Sequence, residues 1–199
     1  MAMTRAALLA RVKTHIRAEL ASGDLAVNDI HNDSIYEFAQ QHCTDVIHIL
    51  KDTSHFSALV EVDTSFDFST GSKALPSDYE LALAVKVTTT SPSVTKRNCE
   101  LLFNPAEFAK RDSANFVLTP DQDHPVVLIA DDKAYIKPTT LTTGYLDYVK
   151  THPTLGSSQG TEFDSMGDNV LVNLVLASYY GFLEEFDLQA NHLKLAGAV

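Results

Sequence analysis

The chain has no tryptophan and only two cysteines, Cys43 and Cys99, among its 199 residues. Two thiols without a C-x-x-C spacing exclude a disulfide-framed scaffold and a four-cysteine zinc site. No H-x-x-x-H pair and no glycine-rich phosphate loop is present either. Basic residues are scarce: 15 Lys and Arg stand against 26 Asp and Glu, a net charge of −11. That balance argues against a non-specific grip on nucleic acid, which needs cations to neutralise phosphates, and against an anionic membrane surface. The longest apolar stretch, Val170 to Leu183, is shorter than the roughly 20 residues that cross a bilayer. Ala6 to Ala10 is too short for a secretory hydrophobic region and runs into Arg11, so reduced thiols are the expectation.

What is present is an ordinary globular composition, 45% apolar and 21% charged. A chain of this length buries about 70% of its unfolded surface. Residues 4–51 read as two helices. In the first, Leu9, Val12, Ile16 and Leu20 fall at helical spacing. This start is Arg-rich and acid-poor, as transit peptides are, but it is not Ser-rich, so a surface helix is expected. The second helix has a capping-box signal, Ser34 followed by Glu37, and a stripe of Ile35, Phe38, Ala39, Val46, Ile49 and Leu50. Residues 56–150 lean to strand. Val60 to Asp63 alternates with period two, as do Leu81, Leu83, Val85 and Val87. Asp131-Asp132-Lys133 reads as a hairpin turn between Pro125–Ile129 and Ala134–Ile136, with a further strand over Leu141–Val149. Pro105 to Arg111 reads as a short helix capped by Asn104. Residues 168–196 read as helix again, with a break near Gly181 or Asp187, and Thr154 to Gly167 as a loop. Helices, then strands, then helices do not make a parallel α/β fold. The expectation is an α+β chain: N-terminal helices over 1–52, an inserted antiparallel β region over 53–155, and C-terminal helices and tail over 156–199. The helical ends would pack together. Val170 to Leu183 is apolar around most of its circumference, so it needs neighbours on several sides, from this chain or from another copy.

Candidate chemistry is thin. Gly156-Ser157-Ser158-Gln159-Gly160 matches G-x-S-x-G, with His192 and several Asp downstream. The nucleophile elbow requires a strand directly before it and a helix directly after it, and neither pattern is there. His42, Cys43, His48 and His55 cluster in sequence, but His42 and His48 lie six residues apart, about 240° around a helix. Glu61 and Asp63, and Glu184, Glu185 and Asp187, read as solvated acids; whether a carboxylate pair does chemistry depends on a separation in space. No catalytic residue, cofactor or metal ligand is expected.

The serial order of short motifs is more informative. Leu75-Pro76-Ser77-Asp78-Tyr79 leads into a strand. The Phe103–Phe108 segment follows, then Pro125–Ile129, the Asp131 turn and Tyr135-Ile136-Lys137-Pro138. Gly144-Tyr145-Leu146-Asp147-Tyr148 comes next, closing at Thr151-His152-Pro153-Thr154-Leu155, before a polar loop and the apolar helix. This order resembles the head-tail connector, or adaptor, proteins of tailed bacteriophages over roughly residues 46–190. One departure is Ser165-Met166-Gly167-Asp168, where those proteins carry an acidic–Pro pair before the last long helix.

The resemblance implies a virion structural protein without enzymatic activity, made in the host cytoplasm and placed at the head-tail junction. It would form a ring, typically dodecameric, beneath the portal protein and present a surface to tail or nozzle proteins. It implies oligomer or portal contacts in the segment Phe182 to Leu195, through Phe182, Leu183, Phe186, Leu188, Leu193 and Leu195. A second expected docking element is the basic first helix, Arg5, Arg11, Lys13 and Arg17. Without these four, 11 basic residues face 26 acidic ones, a net −15. A ring so charged would let genomic DNA pass without holding it, with no sequence-specific nucleic-acid binding and no membrane partner. Alternatives are another tail or tail-completion component, or a small hydrolase using Ser158.

Overall fold

A computed structural model describes residues 3–20, 32–89, 95–111, 119–155 and 160–198. The chain is α+β, and it divides into a helical unit, residues 1–59 with 152–199, and a β unit, residues 60–151. The two ends of the sequence therefore meet in one unit, and the strands form the other.

In the helical unit, α1 (Arg5–Glu19) starts where Thr4 Oγ1 accepts a hydrogen bond from Ala7 N. Its buried stripe is Leu8, Val12 and Ile16. The stripe begins one residue earlier than the spacing from Leu9 implies, and Leu9 and Leu20 are only half-buried. α2 (Asn32–Leu50) buries Ile35, Ala39, Cys43, Val46 and Ile47, leaving Phe38, Ile49 and Leu50 half-buried at its margins. Thr53–Leu59, expected at the start of the β region, is instead a 3-10 segment of the helical unit, anchored by buried Phe56 and Leu59.

α4 (Ser165–Phe182) starts earlier than expected. Asp164 caps it, accepting from Met166 N and Gly167 N at 2.9 and 3.0 Å. The expected loop therefore ends at Asp164. Eleven residues of α4 are buried, because α1, α2 and α5 (Phe186–Ala196) all pack on it. The neighbours that its all-round apolarity demands come from its own chain. A left-handed Gly197, φ 76°, ends α5.

The β unit holds two four-stranded sheets. The first has the order β1 (Val60–Ser65), β8 (Gly144–Lys150), β3 (Tyr79–Thr89), β4 (Thr95–Asn98), antiparallel throughout. The second has the order β2 (Ser72–Ala74), β7 (Lys133–Lys137), β6 (Val126–Ala130), β5 (Glu100–Leu102); within it the β5–β6 pair is parallel. Val85 and Val87 of β3 and Leu146 and Tyr148 of β8 share one core with Val127, Ile129, Ala134 and Ile136 of β6 and β7. Val126 and Leu128 point the other way, into a second cluster with Phe108 of the short helix α3 (Pro105–Lys110). Burial on both faces is why β6 reads as an unbroken apolar run. Asp131 and Asp132 both have φ above +50°, the two-residue turn whose twist suits a hairpin.

Two alternating patterns do not run through as the sequence implied. β3 slips register between Tyr79 and Leu81 and between Ala82 and Ala84, so Ala82, Val85 and Val87 are buried while Leu81 and Leu83 are half-buried. β1 breaks register between Glu61 and Thr64, with Asp63 at φ 53° and Val62 left 61% exposed. A bulge inserts one residue and so exchanges the faces that follow it.

Candidate functional site

The C-terminal candidates do not form one apolar surface. Phe182 and Phe186 are 65% and 66% exposed, at the end of α4 and the start of α5, and Leu183 between them is half-buried. Leu188 and Leu193 are half-buried along α5, and exposed Leu195 lies at its far end. Nine residues separate Phe186 from Leu195, which sets them on opposite sides of a helix. The usable feature is the corner. There Glu185 N donates to Tyr180 O at 2.9 Å and Glu184 N to Gly181 O at 3.2 Å, with Glu184 left-handed at φ 62°. This is the Schellman closure of a helix, with Glu where Gly is usual. A Cβ at Gly181 would come within 2.6 Å of Gln189 Nε2, so that side chain packs against the bare backbone of α4. Exposed Glu184, Glu185 and Asp187 surround the two phenylalanines.

The four basic residues of α1 divide as well. Arg5 lies over the Tyr36 ring, 3.6 Å from its centroid, and Arg11 donates to Asn169 Oδ1. Both are engaged inside the unit. Lys13 and Arg17 lie four residues apart on another side of the helix, half-buried and exposed respectively.

Ser158 lies outside the described residues. A different serine sits in a relay. On α2, His42 Nδ1 is 2.7 Å from Asp45 Oδ2, and its Nε2 is 2.7 Å from Ser178 Oγ on α4. The order is that of an activated nucleophile. Ser178 lies inside α4, however, where the surrounding amides are committed to helical hydrogen bonds. No amide there points at a developing oxyanion, the largest contribution to acyl transfer. The relay clamps α2 to α4 beside an apolar cleft of about 330 Å³ lined by His42, Asp45, His48, Leu174 and Leu193.

His192 and His55 also join helical segments. His192 is 1% exposed; its Nδ1 is 2.9 Å from Asn173 Oδ1 and its Nε2 2.9 Å from Glu19 Oε2. The Asn173 amide donates its Nδ2 to Asn169 O, which fixes its oxygen toward the ring. Both ring nitrogens thus face acceptors. Tyr180 stacks on His192 and donates to Glu19 Oε2 at 2.6 Å. Burial pushes the Glu19 carboxyl up, but the hydrogen bonds from Tyr180 and His192 and the charges of His192 and His15 outweigh it and hold it below its usual value. His55 Nδ1 lies 2.8 Å from Asp164 Oδ2, which raises the His55 pKa and lowers that of Asp164.

Cys43 and Cys99 are free and buried, and burial pushes both thiols up to about 12. Among the described residues no group of three His, Cys, Asp or Glu is placed to hold a metal ion. Glu61 and Asp63 are spoken for: Lys150 Nζ lies 2.7 Å from Glu61, and Lys86 and Lys96 lie 3.0 and 3.1 Å from Asp63. Sequence reasoning missed exposed Phe103 and Met166, 58% and 51% exposed; each is a single apolar residue outside any periodic stripe.

Two of the segments that carry the connector resemblance, residues 75–79 and 144–151, interlock. Tyr79 N donates to Pro76 O, and Tyr148 OH donates to Asp78 Oδ1 at 3.1 Å. Thr151 N donates to Asp78 O at 2.7 Å, and the Tyr79 ring stacks on Tyr148 at 6.2 Å. The Tyr79 hydroxyl turns back to accept from Ala82 N. Leu75–Tyr79 is thus the clasp that starts β3 against the end of β8. No helix among the described residues is long and apolar enough to cross a membrane. No family model matches the chain, and no curated protein matches it at a significant level.

Proposed function

We propose that the protein is a structural component of a tailed-phage particle: a head-to-tail adaptor that forms a ring, typically of twelve copies, beneath the portal. It extends the DNA channel and presents the surface on which the tail assembles. The observation that carries this reading is the clasp: two of the segments through which the chain resembles the connectors lie some 70 residues apart and close on each other as one device. The contacts of His42, His55 and His192 support a non-enzymatic role, because each is spent in tying helical segments together. The charge of −11 per copy, repeated around a ring, favours passage of DNA over retention.

Electron cryomicroscopy of particles of the phage that encodes the chain tests the proposal. The expected result is ring density under the portal into which both units fit. Purified particles that lack the chain overturn it, and density confined to the distal tail replaces it with the tail-component reading.

A further inference from the structure

We infer that neighbouring copies join head to tail, the α4–α5 corner of one seated on the outer face of α1 in the next. This rests on the ring reading and names the surfaces that build the ring. The corner offers two aromatic rings to water, Phe182 and Phe186, amid Glu184, Glu185 and Asp187. α1 offers the complement. Ala6, Ala10, Lys13 and Arg17 follow one another at spacings of four, three and four, so they share a face. That face is turned about 130° from the buried stripe of Leu8, Val12 and Ile16. Ala6, Ala10 and Arg17 are exposed and Lys13 is half-buried. The single acid of α1, Glu19, is turned inward to Tyr180 and His192. Among the described residues, Lys13 and Arg17 have no acidic partner and Glu184, Glu185 and Asp187 have no basic one.

Each patch lacks what the other has. Two alanines leave shallow ground on which aromatic rings can lie, and the cations beyond them meet both the ring faces and the carboxylates. Clustered aromatics at the centre of a contact, rimmed by charge, are the usual pattern of an interface hot spot. Copies carrying −11 repel one another overall, so a local reversal of sign selects this one approach. The two patches differ, so the contact is heterologous, the kind that closes into a ring when the rotation permits.

The experiment uses full-length chains carrying Arg17→Cys alone, Glu185→Cys alone, or both, treated with a short bis-maleimide. Cys43 and Cys99 are buried and remain silent. Mixing the two single variants should give a covalent dimer that neither gives alone. Particles built from the double variant should give a ladder of covalent multimers on denaturing gels. Loss of the ladder is expected when Phe182→Ser and Phe186→Ser are added. Particles that hold the chain at the head-tail junction but give no ladder overturn the inference and leave the ring proposal standing. Particles that lack the chain overturn the ring proposal itself. As a second arm, K13E/R17E and E184K/E185K should each reduce infectivity and their combination should restore it; absence of restoration overturns the pairing.

Discussion

In the helical unit, segments from the two ends of the chain are tied together by polar groups, several of them buried: Glu19 of α1 reaches His192 of α5 and Tyr180 of α4, and His42 of α2 reaches Ser178 of α4. In the β unit the core between the sheets is apolar and most ions lie toward solvent, Arg111 beside Glu100 being buried. Lys86 bridges Asp63 at 3.0 Å and Asp147 at 2.6 Å, and Lys96 adds a third contact. The difference follows from how each unit pairs its elements. Strands, even those as far apart in sequence as β1 and β8, are held in register by their backbone ladder and the alternation of the pleat. Helices brought together from opposite ends of a chain have no such guide. Buried hydrogen bonds with fixed partners can specify how they pack.

The largest break in the helical unit should come from its centre. Leu171 is fully buried in α4. Replacing Leu171 with Ala is expected to cost about 2–5 kcal/mol, through lost burial and the cavity left behind. Chemical denaturation followed by the helical circular-dichroism signal measures it. A cost below about 1 kcal/mol would show that α4 is not the centre of the unit's stability.

The polar ties themselves come next. His192→Leu leaves the Asn173 side-chain oxygen without its partner and Glu19 with only Tyr180 as donor, at an expected cost of about 2 kcal/mol near neutral pH. The sign with pH is fixed by Glu19. Its carboxyl is held below the usual value in the folded chain, so its contribution is full above the ordinary carboxylate range and fades as pH falls through it. The gap between wild type and variant should therefore narrow in acid. A gap that is constant down to acid pH would mean that packing, not the Glu19 contact, explains the loss.

The ions of the β unit should matter less. Lys86→Met removes two ion pairs but keeps the apolar stem, and water reaches both acids, so the expected loss is below about 1 kcal/mol. A loss as large as that of His192→Leu, measured by the same denaturation, would erase the contrast between the two units.

The division of the chain into helical ends and a β middle was legible in the sequence, and what was not has physical causes. The order helix–strand–helix is read from periodicity, and the Asp131–Asp132 turn and the Asn104 cap from side-chain chemistry. The bulges in β1 and β3 were hidden, since register depends on the partner strand. The 3-10 segment was hidden because Phe56 and Leu59 carry too few apolar positions to show a period. The sequence offers His192 only as the histidine downstream of the G-x-S-x-G motif. Its partners lie 19 and 173 residues away in sequence, and nothing local signals them. The candidate corner was legible as apolar residues, but its division into exposed Phe182 and Phe186 and half-buried Leu183 depends on where α4 ends.

That ending supplies the smallest expected effect and separates folding from function most cleanly. Glu184 occupies the left-handed position of the Schellman turn at φ 62°. A residue with a Cβ is disfavoured there by about 1 kcal/mol, whereas glycine adopts the conformation freely at some cost in chain entropy. Glu184→Gly should therefore leave stability unchanged or raise it by up to about 1 kcal/mol, seen as a small rise in Tm. The same variant removes one acid from the corner, so it should weaken the proposed copy-to-copy contact while strengthening the fold. A fall in Tm would mean that the Glu184 side chain supports the corner through its own contacts. A rise in Tm with crosslinking undiminished would place the charge that matters on Glu185 and Asp187.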